Sequence, residues 1–484
     1  MNLDPKLRRR AFLRGAALLA SGAVVPSWLA SCGGSSGEKA VPLEVDASKP
    51  WWLQNNFEPV LEETFSNVLE VRGSIPPELS GIYVRNGSNA QAADNPHWFL
   101  GDGMLHGVRL EGGRAAWYRN RWIRTPLFEN HVPSSAAGLP IGGNNHSNVS
   151  PIYHAGRLLT SGEVGFPYEV NPDDLTTVGV HDFDGGLNTS FTAHSKIDPV
   201  TGYLHFFGYW FTPPYLTYHV ADETGRLIYS DDIEVSGSTM MHSFAITDRD
   251  AIFWELPVLF DPRGLDVHGF PFLWSDTYGA RIGVMPLGGP ASAIRWVEIE
   301  PAYVFHELNA YREGDDVVID VCRHPRMMDG ERFASYAPAL HRWRVGTGGS
   351  SLSFRDEVID DSTQYEFPMG DRRFTGRKNR HGWFGQPRPH PDTVDLGGIQ
   401  HVDYQTGDIR RWDPGPNTHC GEPLFVPGGS GEGEGWLLTF TYDHARDTSD
   451  LIIVDALDVQ AGPIAEVRMP RRIPYGFHGA WIPR

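Results

Sequence analysis

From Trp51 to the last residue, no long stretch of the chain keeps a strong helical period. Short apolar or alternating runs recur instead, each closed off by glycine, proline or a small polar residue. Gly81–Arg85, Gly156–Thr160, Ala251–Trp254, Asp316–Asp320, Gly435–Thr439 and Asp450–Val454 are such runs. Segments of this kind bury one or both faces of a sheet, and a chain built from them is all-β. The 54 glycines and 37 prolines provide the turns, while 25 Phe, 17 Tyr and 15 Trp provide large side chains for a strand-built interior. The 51–484 stretch has no second linker, charge block or low-complexity tract, so it reads as one domain above the usual single-core size. Closed all-β architectures reach such sizes by radial repetition of sheets. The runs differ too much in sequence to give a repeat period, so they leave the number of blades open.

The N-terminal residues read as an address. Arg8-Arg9-Arg10-Ala11-Phe12-Leu13-Arg14 resembles a twin-arginine export signal, and the apolar run Ala16–Ala30 is too short and too rich in small residues to span a bilayer stably. Leu29-Ala30-Ser31-Cys32 looks like a bacterial lipobox, in which the cysteine becomes the lipid-modified N-terminus. The alternative is a plain signal peptide with an incidental Cys32. Residues 1–32 are therefore the expected signal, 33–50 a flexible tether, and the product a periplasmic or membrane-anchored lipoprotein touching the membrane through that lipid. Residues 1–31 carry Asp4 against Lys6, Arg8, Arg9, Arg10 and Arg14, a net +4 within a chain total of −19. The remainder is strongly acidic, which argues against nucleic acid or anionic headgroups as partners. Beyond Cys32 only Cys322 and Cys420 remain, allowing one disulfide or two buried thiols.

Four histidines occupy segments of similar grammar. His194 lies in Phe191–Phe211, ahead of the turn Asp198-Pro199-Val200-Thr201-Gly202 and an aromatic-rich strand. His242 precedes the strand from Ala251, His306 the strand from Asp316, and His478 stands six residues from the end. Phe244, Phe305 and Phe477 are close neighbours in sequence that would exclude water. The spacing contains no local metal motif, so ligands would be gathered by a closed fold with inward-pointing strand ends. On residue types alone the pattern is weak: the chain has 20 His, and His106, His205, His401 and His419 are as well placed.

Longer motifs narrow the reading. Asn56–Val60, Leu69–Gly87, Trp98–His106, Thr192–Pro199 and Phe305–Tyr311 occur in the order and wording of the carotenoid cleavage oxygenase family, which this chain resembles over nearly all of its mature length. That family includes apocarotenoid oxygenases, lignostilbene dioxygenases and the retinal pigment epithelium isomerase. The resemblance implies a seven-bladed β-propeller with a metal on its axis. It implies Fe(2+) held by His194, His242, His306 and His478, with Glu163, Glu366 and Glu422 orienting three of them. Read alone, those glutamates would be surface acids, a reading that suits Glu163 better than Glu366 and Glu422, which stand among apolar residues and prolines.

The chemistry implied is oxidative cleavage of a carbon–carbon double bond by O2, giving two carbonyl products. All-imidazole ligation keeps the site's charge at that of the metal, and a carboxylate behind a ligating histidine fixes its tautomer. The protein would supply a tunnel, with candidate lining in Phe206–Phe211 and Phe270–Trp274 that equally suits core. Stilbene-cleaving relatives hold a substrate hydroxyl with lysine and tyrosine. The matching stretch Pro126–Pro151 has no lysine, and Tyr118 is the nearest match to the tyrosine. An apolar carotenoid or apocarotenoid is thus the expected substrate, with a lignostilbene-type (phenylpropanoid) dioxygenase, a non-cleaving isomerase or carotenoid-binding relative, and a propeller scaffold as alternatives. Ser243 stands where the family usually has Asp, which bears on placement of the second ligand.

Overall fold

A computed structural model describes residues 40–91, 95–133, 137–139, 141–330, 337–388 and 395–484. The signal-like segment and Cys32 lie outside the described residues. The unit Ala40–Arg484 is a seven-bladed β-propeller of antiparallel sheets.

Five blades are separate sheets. The first combines Phe65–Ser66, Gly81–Asn89, Asp102–Glu111, Arg114–Trp122 and the last strand, Gly479–Pro483. The second runs from Ser150–His154 to Thr177–Val180, and the third from Lys196–Ile197 to Leu227–Asp232. The fourth runs from Ala245–Ile246 to Arg295–Glu298, and the fifth from Tyr303–Glu313 to Ser353–Asp360. The sixth, from Glu366–Met369 to Asp408–Trp412, joins the seventh in one continuous sheet at the pairing Leu396↔Cys420.

Closure is double. Val71–Gly73 pairs with Pro463–Arg468 as the outer strand of the seventh blade, and Gly479–Pro483 pairs with Gly81–Asn89 as the inner strand of the first. Each end of the chain thereby adds a strand to the other end's blade, which ties the ring shut.

Each run read as a strand from sequence is one, and most extend further. Asp316–Asp320 becomes Asp316–His324, and Gly435–Thr439 becomes Gly435–Asp443. The strands next to the innermost ones are buried on both faces: Gly81–Asn89, Leu204–Tyr209 and Asp250–Glu255 are buried throughout. The turn at Asp198–Gly202 is closed by Gly202 N–H donating to Asp198 O at 2.8 Å, with Gly202 at φ +73°. Cys322 and Cys420 are buried free thiols. Cys322 packs with Leu340, Tyr365, Phe384 and Val402, whereas Cys420 packs with Phe367 and Leu396. In the stretch expected to be a flexible tether, Val41 N–H donates to Asn417 Oδ1 at 2.8 Å and Val41 O lies 2.8 Å from His444 Nε2.

One excursion matters for function. Between two strands of the fourth blade the chain leaves the ring, forms the hairpin Val258–Phe260 with Phe272–Trp274, and turns through the short helix Gly264–His268. Its aromatic side chains pack against the residues that follow Leu204–Tyr209, with the Phe260 and Phe211 ring centroids 4.2 Å apart.

Candidate metal centre

His194, His242, His306 and His478 converge, and one nitrogen from each lies within 4.8 Å of all the others. His194 and His242 sit in the short connections leading into the strands Lys196–Ile197 and Ala245–Ile246, and His478 immediately precedes Gly479–Pro483. His306 departs from the expected placement. It is inside its own strand, Tyr303–Glu313, where pairing with Asp316–His324 slips between Val304 and Glu307. Such an irregularity twists the strand and re-aims one side chain, here toward the axis.

The ring placement is set from behind. His306 Nδ1 lies 2.5 Å from Glu366 Oε2, and His478 Nδ1 lies 2.8 Å from Glu422 Oε1. The second oxygen of each carboxylate is also occupied. Glu366 Oε1 lies 2.8 Å from His324 Nε2, and Glu422 Oε2 accepts from Gly479 N–H at 2.7 Å. Glu163 Oε2 lies 2.8 Å from His242 Nδ1 but without the alignment of a hydrogen bond. Glu163 also accepts from Tyr209 OH at 3.2 Å and is the most exposed of the three acids.

The electrostatics suit neutral imidazoles against ionised carboxylates. Burial, then the neighbouring imidazoles, push His194 well below its ordinary value. Burial lowers His306 to about 4 against the opposing pull of Glu366. Burial would raise Glu366, but His306 and His324 overcome it and hold the carboxyl below its usual range. Glu422 is likewise lowered, burial being outweighed by His478 and the Gly479 N–H. A carboxylate facing Nδ1 fixes the tautomer that leaves Nε2 as a lone-pair donor.

The donor set fits a metal ion. His306 Nε2 is fully buried and has no hydrogen-bond partner among the described residues. A buried nitrogen lone pair is unfavourable unless something accepts it. His194 Nε2 and His242 Nε2 approach to 2.9 Å, so two further ring nitrogens are aimed at the same point. Four imidazoles with three carboxylates behind them, and no carboxylate among the four, form a nitrogen site suited to a redox-active or borderline metal.

Two cavities reach the cluster and share His306, Phe367 and His478. One, of about 580 Å³, is walled mainly by aromatic and aliphatic side chains, among them Phe99, Phe211, Phe270, Phe272 and Phe477. The other, of about 380 Å³, has a mixed lining that brings in the charged side chains of Lys196, Glu307, Asp371 and Arg372. The two aromatic stretches singled out from sequence divide between cavity and core. Tyr209, Phe211, Phe270 and Phe272 line the apolar cavity, whereas Phe206 and Phe207 are fully buried core. Tyr118 lies elsewhere: it is fully buried and its hydroxyl is 3.0 Å from His106 Nδ1, so it is not placed to hold a substrate.

Sequence reasoning missed several partners. His324 shares Glu366 with His306; its place opposite Tyr303 in the adjacent strand was the only signal. Ser243 and Glu307, both buried, and Lys196, half-buried, are linked to one another and each follows one of three histidines closely in sequence.

Comparison with known proteins agrees with this geometry. The family described as retinal pigment epithelial membrane protein matches residues 57–483. A carotenoid cleavage oxygenase of Mycobacterium tuberculosis is 35% identical, covering 89% of this chain and 97% of its own. A carotenoid 9,10(9',10')-cleavage dioxygenase of Crocus sativus is 33% identical, covering 92% of both. The crystal structure of Pseudomonas brassicacearum lignostilbene dioxygenase superposes with a TM-score of 0.83 at 26% identity, covering 90% of this chain and 99% of that one. The closed seven-bladed ring, its four convergent histidines and these likenesses together place the chain in the retinal pigment epithelial membrane protein, or carotenoid oxygenase, family as an oxidative-cleavage dioxygenase.

Proposed function

We propose that the protein is a non-haem Fe(2+) dioxygenase that cleaves a C=C double bond of a carotenoid or apocarotenoid with O2, giving two carbonyl products. The observation that carries this reading is that the four-histidine cluster opens directly onto the 580 Å³ apolar cavity. A long unsaturated hydrocarbon has little to offer but apolar surface, and a cavity walled by aromatic rings binds it by burying that surface. The lignostilbene dioxygenase likeness keeps a stilbene-type substrate as the second reading.

His194, His242, His306 and His478 would hold the ferrous ion, which with O2 supplies the oxidation of the alkene. Glu366 and Glu422 keep the rings they face in one tautomer and one orientation. Phe305, edge-on to His242 at 5.0 Å, and Phe367, stacked on His306 at 5.3 Å, exclude water from the cluster. The aromatic wall positions one double bond of the chain against the metal site, so that regiochemistry follows from cavity length and shape. No proton-transferring triad is needed, because the reacting bond is apolar and the metal with O2 carries the chemistry.

The test is reconstitution with iron under anaerobic conditions, followed by O2 consumption against apocarotenals and 4-hydroxystilbenes in parallel, with products identified by mass. Stoichiometric O2 uptake with two carbonyl products is the expected outcome. A geometric isomer without O2 uptake would assign an isomerase, and binding without turnover a carotenoid carrier.

A further inference from the structure

A line of polar groups joins residues 40–45 to the seam between the sixth and seventh blades. Val41 O lies 2.8 Å from His444 Nε2, His444 Nδ1 lies 2.9 Å from His419 Nε2, and His419 Nδ1 lies 2.7 Å from Asp395 Oδ1. Tyr475 OH donates to the same carboxylate oxygen at 2.9 Å. Asp395 and His419 stand beside the Leu396↔Cys420 pairing that makes the two blades one sheet, and His444 directly follows the strand Gly435–Asp443. His419 is buried, His444 half-buried and Val41 exposed. Two other bonds hold this stretch: Val41 N–H donates to Asn417 Oδ1 at 2.8 Å, and Asn55 Nδ2 to Glu44 O at 3.1 Å. Val41, Leu43 and Val45 are exposed, so apolar burial contributes little to holding it.

The protons on this line can be counted. A carbonyl oxygen and a carboxylate only accept, so the ring nitrogens at the two ends, His444 Nε2 and His419 Nδ1, must both donate. The contact between the rings needs one N–H more. Two neutral imidazoles bring two such protons, and the line uses three. The pair therefore carries one positive charge, set against the Asp395 carboxylate. Burial would raise the Asp395 carboxyl, but His419 and then the Tyr475 hydroxyl hold it below the usual carboxylate range, so it stays the acceptor. Without the third proton one contact must fail. Water replaces an imidazole at the exposed Val41 carbonyl at little cost, whereas the Asp395 side chain is only 17% exposed, so the Val41 end yields first. The other groups facing Asp395 and His419 are Tyr442, Tyr475, Cys420 and Arg388. Burial raises the two hydroxyls and pushes the thiol up to about 12, and a guanidinium keeps its proton, so none of these exchanges one near neutral pH. On the turn after His444, Asp443 pairs with Arg446 and Asp447 accepts from Tyr442 OH, and the strap's own acids are Glu44 and Asp46.

We propose that residues 40–45 form a proton-dependent strap, fastened to the blade seam when the His419–His444 pair holds three protons and released when it holds two. Docking takes up one proton, so it is strongest on the acid side of neutrality and weakens as pH rises. A fourth proton has the opposite limit: it sets two N–H groups against each other between the rings and opens the line from the middle. The strap is docked across a middle band of pH. The device stands apart from the metal cluster and holds whatever the cluster catalyses.

The test is hydrogen exchange at the Val41 amide in the full, iron-loaded chain, read as protection relative to the intrinsic rate at each pH so that hydroxide catalysis cancels. From about pH 6 to about pH 9 protection is expected to fall by as much as about tenfold per pH unit, the slope of one linked proton. Asp395→Asn separates proton linkage from simple contact. Its amide can donate to His419 Nδ1, and every contact on the line then forms with two neutral rings. Protection in this variant is expected to persist and to lose its pH dependence. His444→Phe keeps a ring but removes the line, and is expected to abolish the protection at every pH. Both variants are compared at wild-type iron content and circular dichroism. Wild-type protection that is flat over the range overturns the proposal. So does a folded Asp395→Asn protein that keeps the wild-type slope or loses protection at every pH, and so does a folded His444→Phe protein with wild-type protection. If the asparagine variant fails to fold, the wild-type profile and His444→Phe decide together.

Discussion

Ser243 donates its hydroxyl proton to Glu307 Oε2 across 2.6 Å, and each of these residues directly follows a clustered histidine. Lys196, two residues after His194, pairs with the other oxygen of the same carboxylate. The connections bearing His194 and His242 and the strand bearing His306 are therefore tied to one buried charge, with the Glu307 side chain 3% exposed. Glu307→Gln leaves the Lys196 ammonium without its counter-ion in that setting. The expected outcome is a loss of about 3 kcal/mol in stability, read as a lower midpoint in urea, together with less iron bound per chain at limiting iron. Serine at position 243 is coherent with this arrangement, because the acid that balances Lys196 comes from the third histidine's strand. Ser243→Asp is expected to set two carboxylates against one ammonium and to lower stability as well.

The carboxylates behind the histidines are expected to rank by how well they are held. Glu366 and Glu422 are buried and use both oxygens, whereas Glu163 is partly exposed and misaligned with His242. Glu366→Gln and Glu422→Gln are expected to weaken iron binding roughly 10- to 100-fold, and Glu163→Gln by less. Competition with a chromophoric chelator measures all three. Equal effects, or a larger one for Glu163, would contradict the ranking.

Acid is expected to destabilise the metal-free protein in a specific window. His306 is lowered to about 4 from 6.5, so between those values the unfolded chain binds a proton there that the folded chain does not. Stability then rises with pH across that interval and falls as pH drops from about 6.5 toward 4. Glu366 and Glu422, lowered below their usual range, act in the same direction at lower pH, since their contribution is lost as pH falls through the carboxylate range. Thermal midpoints of chelator-treated protein between pH 7 and pH 4 check this. His306→Gln is expected to flatten the upper part of the curve.

Much of this was legible in the sequence, for reasons that differ by feature. Strand runs such as Asp450–Val454 were readable because burial on both faces demands uninterrupted apolar residues there. The four histidines were located by the motifs around them, since residue type alone left His106, His205, His401 and His419 as equals. The structure gives His106, His205 and His419 other partners: the first two meet Tyr118 and Tyr218 hydroxyls, and His419 meets Asp395. The pairing of His324 with Glu366 and of Lys196 with Glu307 was not legible, because it depends on strand register and on which blades meet at the axis. The slip that aims His306 inward was hidden for the same reason: no residue in Tyr303–Glu313 marks a bulge as glycine would.

The reading of residues 1–32 as an export and lipidation signal is a proposal with its own expected outcomes. If Cys32 bears the lipid, Cys32→Ser moves the protein from the membrane to the soluble fraction while its metal content stays the same. Imidazole sites prefer copper and zinc over ferrous ion, so export after folding would let iron be loaded in the cytoplasm. Re-routing the chain through an unfolded-chain export path is expected to give copper- or zinc-loaded, inactive protein. Unchanged fractionation of the serine variant, or iron-loaded active protein from the second route, would remove the respective reading.

Gly476 offers a way to separate damage to the metal site from damage to the fold. A Cβ there would stand 2.5 Å from Asn86 O and 2.6 Å from Arg85 Nε, and one on Gly87 would stand 2.6 Å from Gly476 Cα. The two glycines let the C-terminal segment lie against the first blade, where Phe477 N–H donates to Asn86 O at 2.9 Å and Asn86 N–H to His478 O at 3.0 Å. Those bonds place His478 two residues further on, so moving the backbone to admit a methyl group moves a ring of the cluster. Gly407 is the contrast: its φ of +79° strains any side chain, yet a Cβ there meets nothing within 4 Å. Gly407→Ala is expected to lower stability by about 1 kcal/mol with iron affinity unchanged. Gly476→Ala is expected to weaken iron binding and O2 consumption beyond anything its loss of stability explains. Paired denaturation curves and iron titrations of the two variants distinguish these outcomes, because a propeller closed only for stability would lose stability in both and iron affinity in neither.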